Sequence, residues 1–576
     1  MKKTLAIIAA TAVLAAATLT PCLSSGIMAS AATANTITIT QSTSDTASHT
    51  YSAYQIFTGE LQDDGSLENV QWTTDFNDLA GYIAENSTTY STIGSDFSSS
   101  MTAAIAAAVL ENYNDNSDEI QEFATAVAAY IESKTISATA TGTGTGDVEI
   151  SGITFDGYYF IQDTTDNMTE GAYTRYILVN MDADTGLEVD VKSGLPTVEK
   201  KVKENTKTVE YDTEGLGTEI IVGEDYNDVA DYSIGDSIEF ELIGSLPENF
   251  FDYDTYYYQF IDTMCKGLTL DIAGGSSTSL DTGDFTIYVG DTTNGRGTTV
   301  INTNCYTVTD NSGSGFIVTF GDLTDIEDTN GDDITLNADS LIYVIYTAYL
   351  NEDAVIGLDG NENEVYLIYS NNPNSGGKDD HGQTPKDKNI VFTYELDTTK
   401  IDVSTQEGLE GAEFKLYYEE SSTKYYVQVD SSNKVTGWTT DETDASVLTS
   451  GTDGLFKVIG LDDGTYYLEE TKAPTGYNLL SEAVKVMISA TTKNNQQWTT
   501  TVDAALTNLS VTVADNEPGT ASASTGIVEI TVVNKSGSVI PETGGIGTTI
   551  FYVVGSVLVA GAGVLLITKK RAKSAQ

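Results

Sequence analysis

The stretch VVNKSGSVIPETGGIG, from Val532 to Gly547, separates two very different parts of the chain. A β-branched run ends at an asparagine, a proline-bounded turn and a double glycine follow, and the last apolar run of the chain then begins. β-branched residues favour strands, whereas proline and glycine interrupt them. The stretch therefore predicts that a β-domain ends near Asn534 and that a short polar tether joins it to a hydrophobic segment.

The segment beyond the tether has the features of a membrane anchor. Residues 548–568 contain no charged residue, and about 20 apolar residues are enough to span a bilayer. Residues 569–576 follow at once and include four basic residues, which favour the cytoplasmic side of a membrane. We therefore expect a C-terminal transmembrane helix at 548–568 and a basic cytoplasmic tail at 569–576.

The opposite end of the chain has the pattern of a secretory signal. Lys2 and Lys3 precede an apolar core, and small residues at 29–31 provide a cleavage site. We expect a signal peptide at residues 1–31, which is excluded from reasoning about the fold. The chain is thus predicted to be exported and then stopped in the membrane by its C-terminal segment.

Charge and composition restrict the class of protein further. The formal net charge is −58, from 85 acidic and 27 basic residues. Such a surface repels phosphate groups, which argues against nucleic-acid binding. β-branched and aromatic residues recur along the whole chain, so the composition indicates a folded, exported β protein and not a disordered one.

The cysteines allow one covalent link at most in the mature chain. Removal of the signal peptide would take Cys22 and leave Cys265 and Cys305. In an exported protein this pair could form a disulfide. The alternative is two separate thiols, and the sequence does not decide between them.

Between its two terminal signals the chain divides into three β-rich blocks. The first, at 33–194, is bounded by strand-like segments and contains a helical insert, Met101–Lys134, with apolar residues at helical spacing. The second, at 195–385, runs from a lysine-bearing strand to an asparagine-bearing one, and the third, at 386–538, repeats this plan. Many short strands predict a mainly β fold of tandem immunoglobulin-like β-sandwich domains, the first with a helical insert.

The third block contains the segment YYLEETKAPTGYNLL, Tyr466–Leu480. This segment resembles the E-box, Y-x-L-x-E-T-x-A-P-x-G-Y, of the sortase-assembled pilins and collagen-adhesin B-type domains of Gram-positive bacteria. The upstream GLEGAEFKLYYEE, Gly408–Glu420, is similar to the second-strand signature of the same family. The residues that match the E-box are Tyr466, Leu468, Glu470, Thr471, Ala473, Pro474, Gly476 and Tyr477.

In that family a lysine on the first strand condenses with an asparagine on the last strand, assisted by a buried acid. The resemblance assigns these roles to Lys400, Asn534 and Glu470. The chemistry is coherent, because burial favours the neutral, nucleophilic amine and a buried carboxyl can polarise the amide and shuttle protons. The reaction occurs once per molecule, so it implies self-modification and no enzymatic turnover, cofactor or metal.

The second block has a similar set of residues with weaker motifs. PTVEKKV matches the lysine strand of the family, and YYYQFIDTMCKGLTL resembles its acid-bearing strand. The resemblance implies a second isopeptide bond formed by Lys200 and Asn371 with Asp262 as the acid. Lys201 and Asn372 remain alternatives, because the sequence does not fix the register of either strand.

The first block offers few nucleophiles. Its lysines are Lys134, at the end of a predicted helix, and Lys192, so no internal isopeptide bond is predicted there. LEVDVKSGLPTVEKK, around Lys192, resembles the pilin motif, in which a lysine receives the next subunit. Asp190 and Val191 stand where the family has Tyr-Pro. Lys192 is therefore predicted to be the pilus-linking lysine, and a solvated linker lysine is the alternative.

The tether contains IPETG, which together with the apolar span and basic tail resembles the sortase sorting signal L-P-x-T-G. Its residues are Ile540, Pro541, Glu542, Thr543 and Gly544. The resemblance implies that sortase cuts between Thr543 and Gly544. Thr543 would then be transferred to an amine of a neighbouring subunit or of peptidoglycan.

The sequence as a whole predicts a structural surface protein. The resemblance implies a pilin subunit with sortase, neighbouring subunits and peptidoglycan as partners, and host surface or matrix molecules as further candidates. A monomeric wall-anchored adhesin built from the same modules is the alternative. The acidic run Asp328–Asp333 lacks the spacing of an EF-hand, and His49 and His381 lie in different blocks, so no metal or catalytic site is predicted.

Overall fold

The computed structural model describes most of the region between the two terminal signals. The described residues are 34–537, except 64, 116, 192–193, 206–225, 273–279, 378–379, 493–504 and 515–516, and six residues between 554 and 562. The predicted signal peptide, Lys192, the sorting motif and the basic tail lie outside them, as does most of the predicted span at 548–568. No helix within the described part is long and apolar enough to cross a membrane.

The first domain combines two small sheets with three helices. Its elements are β1 Thr36–Thr40, β2 Ser48–Leu61, β3 Leu67–Trp72, α1 Leu79–Glu85, α2 Ala103–Leu110, α3 Asp118–Lys134, β4 Ala140–Thr145, β5 Val148–Ser151, β6 Gly157–Asp163, β7 Ile177–Met181 and β8 Leu187–Asp190, with a 3₁₀ turn at Thr74–Phe76. One sheet has the order β5-β1-β8, and the other has the order β3-β2-β6-β7 with β4 also paired to β2. The predicted insert corresponds to α2 and α3, and the short α1 precedes it.

Helix α3 shows why the insert is helical. Its buried residues recur every three or four positions, from Ile120 and Phe123 to Val127 and Ile131, so one face packs on the sheet. This apolar face packs in one buried cluster with Tyr54 and Phe57 of β2 and Phe160 of β6.

The second domain is a sandwich of two seven-stranded sheets. Its strands are β9 Val198–Lys203, β10 Tyr226–Asn227, β11 Val229–Asp231, β12 Ser237–Ser245, β13 Tyr258–Met264, β14 Leu268–Leu270, β15 Thr286–Asp291, β16 Gly295–Val300, β17 Thr307–Asp310, β18 Phe316–Phe320, β19 Ser340–Leu350, β20 Asn361–Ser370, β21 His381–Gln383 and β22 Asp387–Phe392, with 3₁₀ turns at Phe250–Asp252, Thr282–Asp284 and Pro373–Ser375. The sheet orders are β10-β9-β12-β19-β15-β16, with β14 on β19, and β11-β22-β20-β13-β18-β17, with β21 on β20.

The boundary after the second domain differs from the predicted one. Strand β22, which the sequence analysis assigns to the third block, pairs antiparallel with β20 and parallel with β11. Its residues Ile390, Val391 and Phe392 are fully buried in the core. The second domain therefore extends to Phe392, and the third begins near Tyr394.

The third domain is a sandwich whose first and last strands are neighbours. Its strands are β23 Tyr394–Asp402, β24 Glu413–Glu420, β25 Thr423–Val429, β26 Val435–Thr439, β27 Leu448–Thr449, β28 Leu455–Leu461, β29 Gly464–Lys472, β30 Val484–Thr492, β31 Leu506–Val513, β32 Glu517–Pro518, β33 Thr520–Ser522 and β34 Ile527–Asn534, with a 3₁₀ turn at Glu442–Asp444. The four-stranded sheet has the order β28-β23-β34-β33, in which β23 and β34 run parallel. The eight-stranded sheet has the order β26-β25-β24-β29-β30-β31-β32, with β27 on β24.

The cores of the second and third domains form one continuous apolar cluster, whereas the first domain has clusters of its own. The prediction of a mainly β chain built from tandem domains is confirmed.

The two cysteines of this region are not joined. Cys265 and Cys305 are free thiols and partly buried. The sulfur of Cys265 lies 4.0 Å from Oδ1 of Asn361, and that of Cys305 accepts a hydrogen bond from the Glu327 N–H at 3.3 Å. Of the two alternatives that the sequence left open, the structure has the separate thiols.

Candidate functional site

Strand alternation brings three polar side chains into the apolar core of the third domain. Lys400 follows Leu396 and Thr398 on the inward face of β23, and Asn534 follows Val528, Ile530 and Val532 on the inward face of β34. Glu470 follows Tyr466 and Leu468 on the inward face of β29, in the opposite sheet. Lys400 is 0% exposed, Asn534 is 2% exposed and Glu470 is 5% exposed.

The three side chains are in direct contact around the carboxyl group of Glu470. Nζ of Lys400 lies 3.0 Å from Oε1 of Glu470, and Nδ2 of Asn534 donates to the same oxygen at 3.1 Å. The other carboxyl oxygen accepts the Leu480 N–H at 2.8 Å. The Lys400 amine also lies 5.3 Å from the centre of the Phe414 ring. One carboxyl oxygen thus faces both the amine and the amide nitrogen.

Burial sets the protonation that this cluster favours. Desolvation lowers the pKa of the Lys400 amine, and the neighbouring Glu470 only partly offsets that effect. A lowered pKa increases the population of the neutral amine, which is the nucleophilic form. The carbonyl oxygen of Asn534 has no hydrogen-bond partner among the described residues. The arrangement therefore places an amine, a carboxyl group and a carboxamide side by side in a buried core.

A second buried cluster lies in the second domain. Lys200 on β9 contacts the carboxyl group of Asp262 on β13, and both side chains are fully buried. Nζ of Lys200 donates to the hydroxyl of Tyr346 at 2.9 Å, and that hydroxyl donates to Oδ2 of Asp262 at 2.9 Å. Desolvation lowers the pKa of Lys200 and raises that of Asp262, so burial favours a neutral amine beside a neutral acid.

The asparagine beside this second cluster is Asn363 on β20. Its Nδ2 donates to the Tyr346 hydroxyl at 2.8 Å, and its Oδ1 has no hydrogen-bond partner among the described residues. Asn363 is fully buried, and Asn389 lies opposite it in the β20–β22 register. Asn389 is also fully buried, and neither its Oδ1 nor its Nδ2 has a hydrogen-bond partner among the described residues.

The structure does not bring Asn371 or Asn372 to Lys200, which corrects the sequence-based assignment. Asn371 lies beyond the end of β20, and its Nδ2 donates to the carbonyls of Met168 and Gly171 in the first domain, each at 3.0 Å. Asn372 caps the 3₁₀ turn that follows β20 by accepting the Asn374 N–H.

Lys201, the alternative to Lys200, lies in a different environment. Its amine pairs with Asp228 at 2.6 Å and with Glu199 at 2.8 Å. Burial opposes the charge, but these two carboxylates outweigh it and raise the pKa of Lys201. Lys201 is thus held as a cation, while Lys200 faces the acid of the core.

Tyr346 and Asn363 are not among the residues predicted from the sequence, although the sequence contains one signal for Asn363. In NENEVYLIYS, the residues at alternate positions from Asn361 to Tyr369 form one face of β20 and are all buried. An asparagine on an otherwise apolar inward face is costly unless it is hydrogen-bonded or reacts, so this alternation marks Asn361 and Asn363 as candidates.

Two families match this chain. Residues 394–503 match the SpaA family, a prealbumin-like fold domain, and the match starts at the first residue of β23. Residues 532–574 match the LPXTG cell wall anchor motif. The chain is similar to the sortase-assembled pilins of Gram-positive bacteria. The predicted resemblance is confirmed, and so is an exported, cell-wall-attached location.

Known relatives agree with this similarity. The chain is 26% identical over 304 residues to the trypsin-resistant surface T6 protein of Streptococcus pyogenes serotype M6, a match that covers 42% of this chain and 52% of the relative. The chain thus spans about half the length of the curated relative that it matches. The name of this relative is that of a surface protein, in agreement with the structural surface protein that the sequence predicts.

Several solved pilin structures are similar to this one. The T6 backbone pilin of serotype M6 Streptococcus pyogenes is 17% identical, with 88% of this chain and 100% of that chain covered and a TM-score of 0.47. The full-length major pilin SpaD of Corynebacterium diphtheriae is 16% identical, with 88% and 98% covered and a TM-score of 0.43. The group B streptococcus pilus 2b backbone protein is 26% identical, with 54% and 97% covered and a TM-score of 0.38.

Proposed function

We propose that this protein is a structural pilin subunit in which two isopeptide bonds form spontaneously between buried side chains. The observation that supports this most strongly is the contact of Lys400, Glu470 and Asn534 in the buried core. A buried lysine, acid and asparagine stabilise a fold poorly as separate polar groups, because each loses its hydration. Condensation removes the amine charge and turns two polar groups into one amide.

The reaction in the third domain would proceed without an external reagent. The neutral amine of Lys400 attacks the carboxamide carbon of Asn534, and the carboxyl of Glu470 takes the proton that the amine loses. The same carboxyl returns a proton to Nδ2 of Asn534, which it already contacts at 3.1 Å. Ammonia then leaves, and an amide joins Nζ of Lys400 to the former side-chain carbonyl of Asn534.

The second bond would join Lys200 to Asn363, with Asp262 in the role of the acid. Tyr346 supports this assignment, because its hydroxyl lies within hydrogen-bond distance of Lys200, Asp262 and Asn363. It is a positioning residue that holds the amine, the acid and the amide in one place. The contact of Asn363 with Tyr346 is the observation that supports Asn363 in place of Asn371.

The geometry of β23 and β34 explains what the bond in the third domain would do. The strands are parallel neighbours, so Lys400 and Asn534 lie on the first and last strands of the domain. Force that enters at the start of β23 and leaves after β34 would shear their hydrogen bonds apart. A covalent link between the two strands carries that force without separating them, as a fibre under tension requires.

Intact mass tests the internal bonds. Each bond should reduce the mass of the soluble segment between the signal peptide and the tether by one ammonia, roughly 17 Da. We expect two such losses in the wild type and one in Glu470→Gln. Glu469→Gln is the matched control, since Glu469 lies on the same strand but pairs with Lys424 at the surface. A wild-type mass without any loss would refute the cross-links.

We further propose that sortase joins Thr543 of one subunit to Lys192 of the next and links the finished fibre to peptidoglycan. Wall extracts should then show a high-mass ladder that survives boiling in detergent. Lys192→Ala should reduce this ladder to a monomer, and Thr543→Ala should leave the protein in the membrane and absent from the wall. A single wall-linked band with either residue at 192 would instead indicate the monomeric adhesin, which could bind host surface or matrix molecules directly.

A further inference from the structure

The joint between the first and second domains is made largely by one loop. The β6–β7 loop, Thr164–Tyr176, joins strand β6 to strand β7 and lies against the second domain. It is held by backbone and amide hydrogen bonds and by an ion pair between Arg175 and Asp252. The hydrogen bonds across the joint are Tyr173 N–H to Asn371 O at 2.7 Å, Gln383 N–H to Thr169 O at 2.8 Å, Tyr176 N–H to Asn374 Oδ1 at 2.9 Å, Asn374 Nδ2 to Thr174 O at 2.8 Å, and Asn371 Nδ2 to Met168 O and Gly171 O, both at 3.0 Å.

The same loop is attached to its own domain through a buried histidine. Nδ1 of His49 lies 2.8 Å from Oδ2 of Asp163, and Nε2 lies 3.3 Å from Oδ2 of Asp45. The side chains of all three residues are fully buried. Nδ1 is hydrogen-bonded to Asp163, whereas Nε2 approaches Asp45 as an ion pair without a hydrogen bond among the described residues. A neutral imidazole would turn the lone pair of one nitrogen toward a carboxylate, so a carboxylate beside each nitrogen fits the imidazolium form.

The two aspartates connect this histidine to the loop. Oδ2 of Asp45 accepts the Ala172 N–H at 3.1 Å, and Oδ2 of Asp163 lies 3.5 Å from the Thr174 nitrogen. The loop also passes very close to Asp45, since a Cβ on Gly171 would lie 2.9 Å from its Oδ1. The carboxylates that hold His49 therefore also hold the segment that contacts Asn371.

Loss of the His49 charge would leave this pocket unbalanced. The charged and titratable groups described around His49 are Asp45, Asp163, Tyr51, whose ring stacks at 5.8 Å, and Tyr369 of the second domain. Burial and the charge of Asp45 raise the pKa of Tyr369. With a neutral imidazole, both buried carboxylates would lose their counter-charge. Relaxation of these carboxylates would move the loop that they anchor.

We propose that His49 is a positioning residue for the joint between the first and second domains, and that the β6–β7 loop detaches from the second domain when His49 is deprotonated. Neither the proposed isopeptide bonds nor polymerisation is needed for this inference. It assigns a role to a histidine for which the sequence predicts none.

The expected pH dependence follows from the environment of the ring. Burial disfavours the imidazolium, but Asp163 and Asp45 outweigh that effect and raise the pKa of His49 to about 9 from an ordinary value of 6.5. Because the pKa of His49 is higher in the docked state, its protonated form stabilises docking. This contribution is fully present below the ordinary histidine pKa of 6.5. The contribution is lost as the pH rises through about 9.

Hydrogen exchange of the full chain in detergent tests this at the amides that cross the joint. We expect protection of the Tyr173 and Gln383 amides, corrected for intrinsic exchange, to fall by more than about tenfold between pH 6 and pH 10, because one unit of pKa shift is a tenfold change. Amides that pair β2 with β6 should keep their protection. In His49→Gln, the two joint amides should be weakly protected at both pH values.

His381→Gln is the matched control, because it removes the other histidine of the chain, which lies beside the joint on β21. This variant should retain the wild-type pH step. Equal protection of the wild-type joint at both pH values would overturn the proposal, whether or not His49→Gln folds. A pH step that persists in His49→Gln, or disappears in His381→Gln, would overturn it as well.

Discussion

At the scale of single residues, the choice between asparagines decides which second bond forms. Asn363 contacts the hydroxyl of Tyr346, which also binds Lys200, whereas Asn371 faces the first domain. We expect Asn363→Ala to restore one ammonia, roughly 17 Da, to the intact mass, because its electrophile is gone. Asn371→Ala should leave the mass loss unchanged.

Two outcomes would contradict this assignment. If Asn363→Ala still loses two ammonia molecules, another amide is the electrophile, and Asn389, which lies opposite Asn363, is the residue to replace next. If Asn371→Ala restores the mass instead, the contacts of Asn371 with Met168 and Gly171 do not describe the state that reacts.

Only part of the candidate site could be predicted at this scale. The family resemblance assigned Lys400, Asn534 and Glu470, and the structure brings these three side chains into contact. Asn371 was chosen because it ends a strand, but the end of β20 lies at the joint with the first domain. The role of Asn363 depends on which face of β20 is inward and on Tyr346, a residue distant in sequence.

At the scale of secondary-structure elements, local pattern predicted the type of most elements but not their partners. Helix α3 follows from its apolar spacing, and the alternation in β34 follows from its inward valines and isoleucine. The run Asn389–Phe392 reads equally well as the first strand of the third domain. It belongs to the second because it pairs with β20 and β11, a contact between distant segments that no local pattern encodes.

Another element shows the same limit. The β6–β7 loop reads as a polar connection, and His49 reads as an isolated histidine in a strand. Their joint function appears only when Asp45, from the turn before β2, and Asp163, from the end of β6, are brought to opposite sides of the ring. Burial of a charged group between two partners is a property of the folded chain.

At the scale of the whole molecule, the two proposed bonds would lie in two domains whose apolar cores are continuous. The second and third domains share one apolar cluster, and close backbone contacts such as Gly357 against Gly526 join them. The first domain is attached through the β6–β7 loop instead. Under the proposed linkage, tension would run from Lys192 to Thr543 through these two cross-linked domains, and the hydrogen-bonded joint to the first domain would lie outside the path of the load.

The stability of the third domain tests whether its bond matters to the assembled molecule. A link from Lys400 to Asn534 closes a loop of roughly 135 residues, and by analogy with disulfides this should stabilise the fold by about 5 kcal/mol. We expect Glu470→Gln and Asn534→Ala to lower the denaturant concentration at which half of this domain is unfolded. Hydrogen exchange of the amides that pair β23 with β34 measures this unfolding. Glu469→Gln should retain the wild-type midpoint, because its side chain is at the surface. Unlinked variants that resist denaturant as well as the wild type would show that packing alone holds β23 to β34.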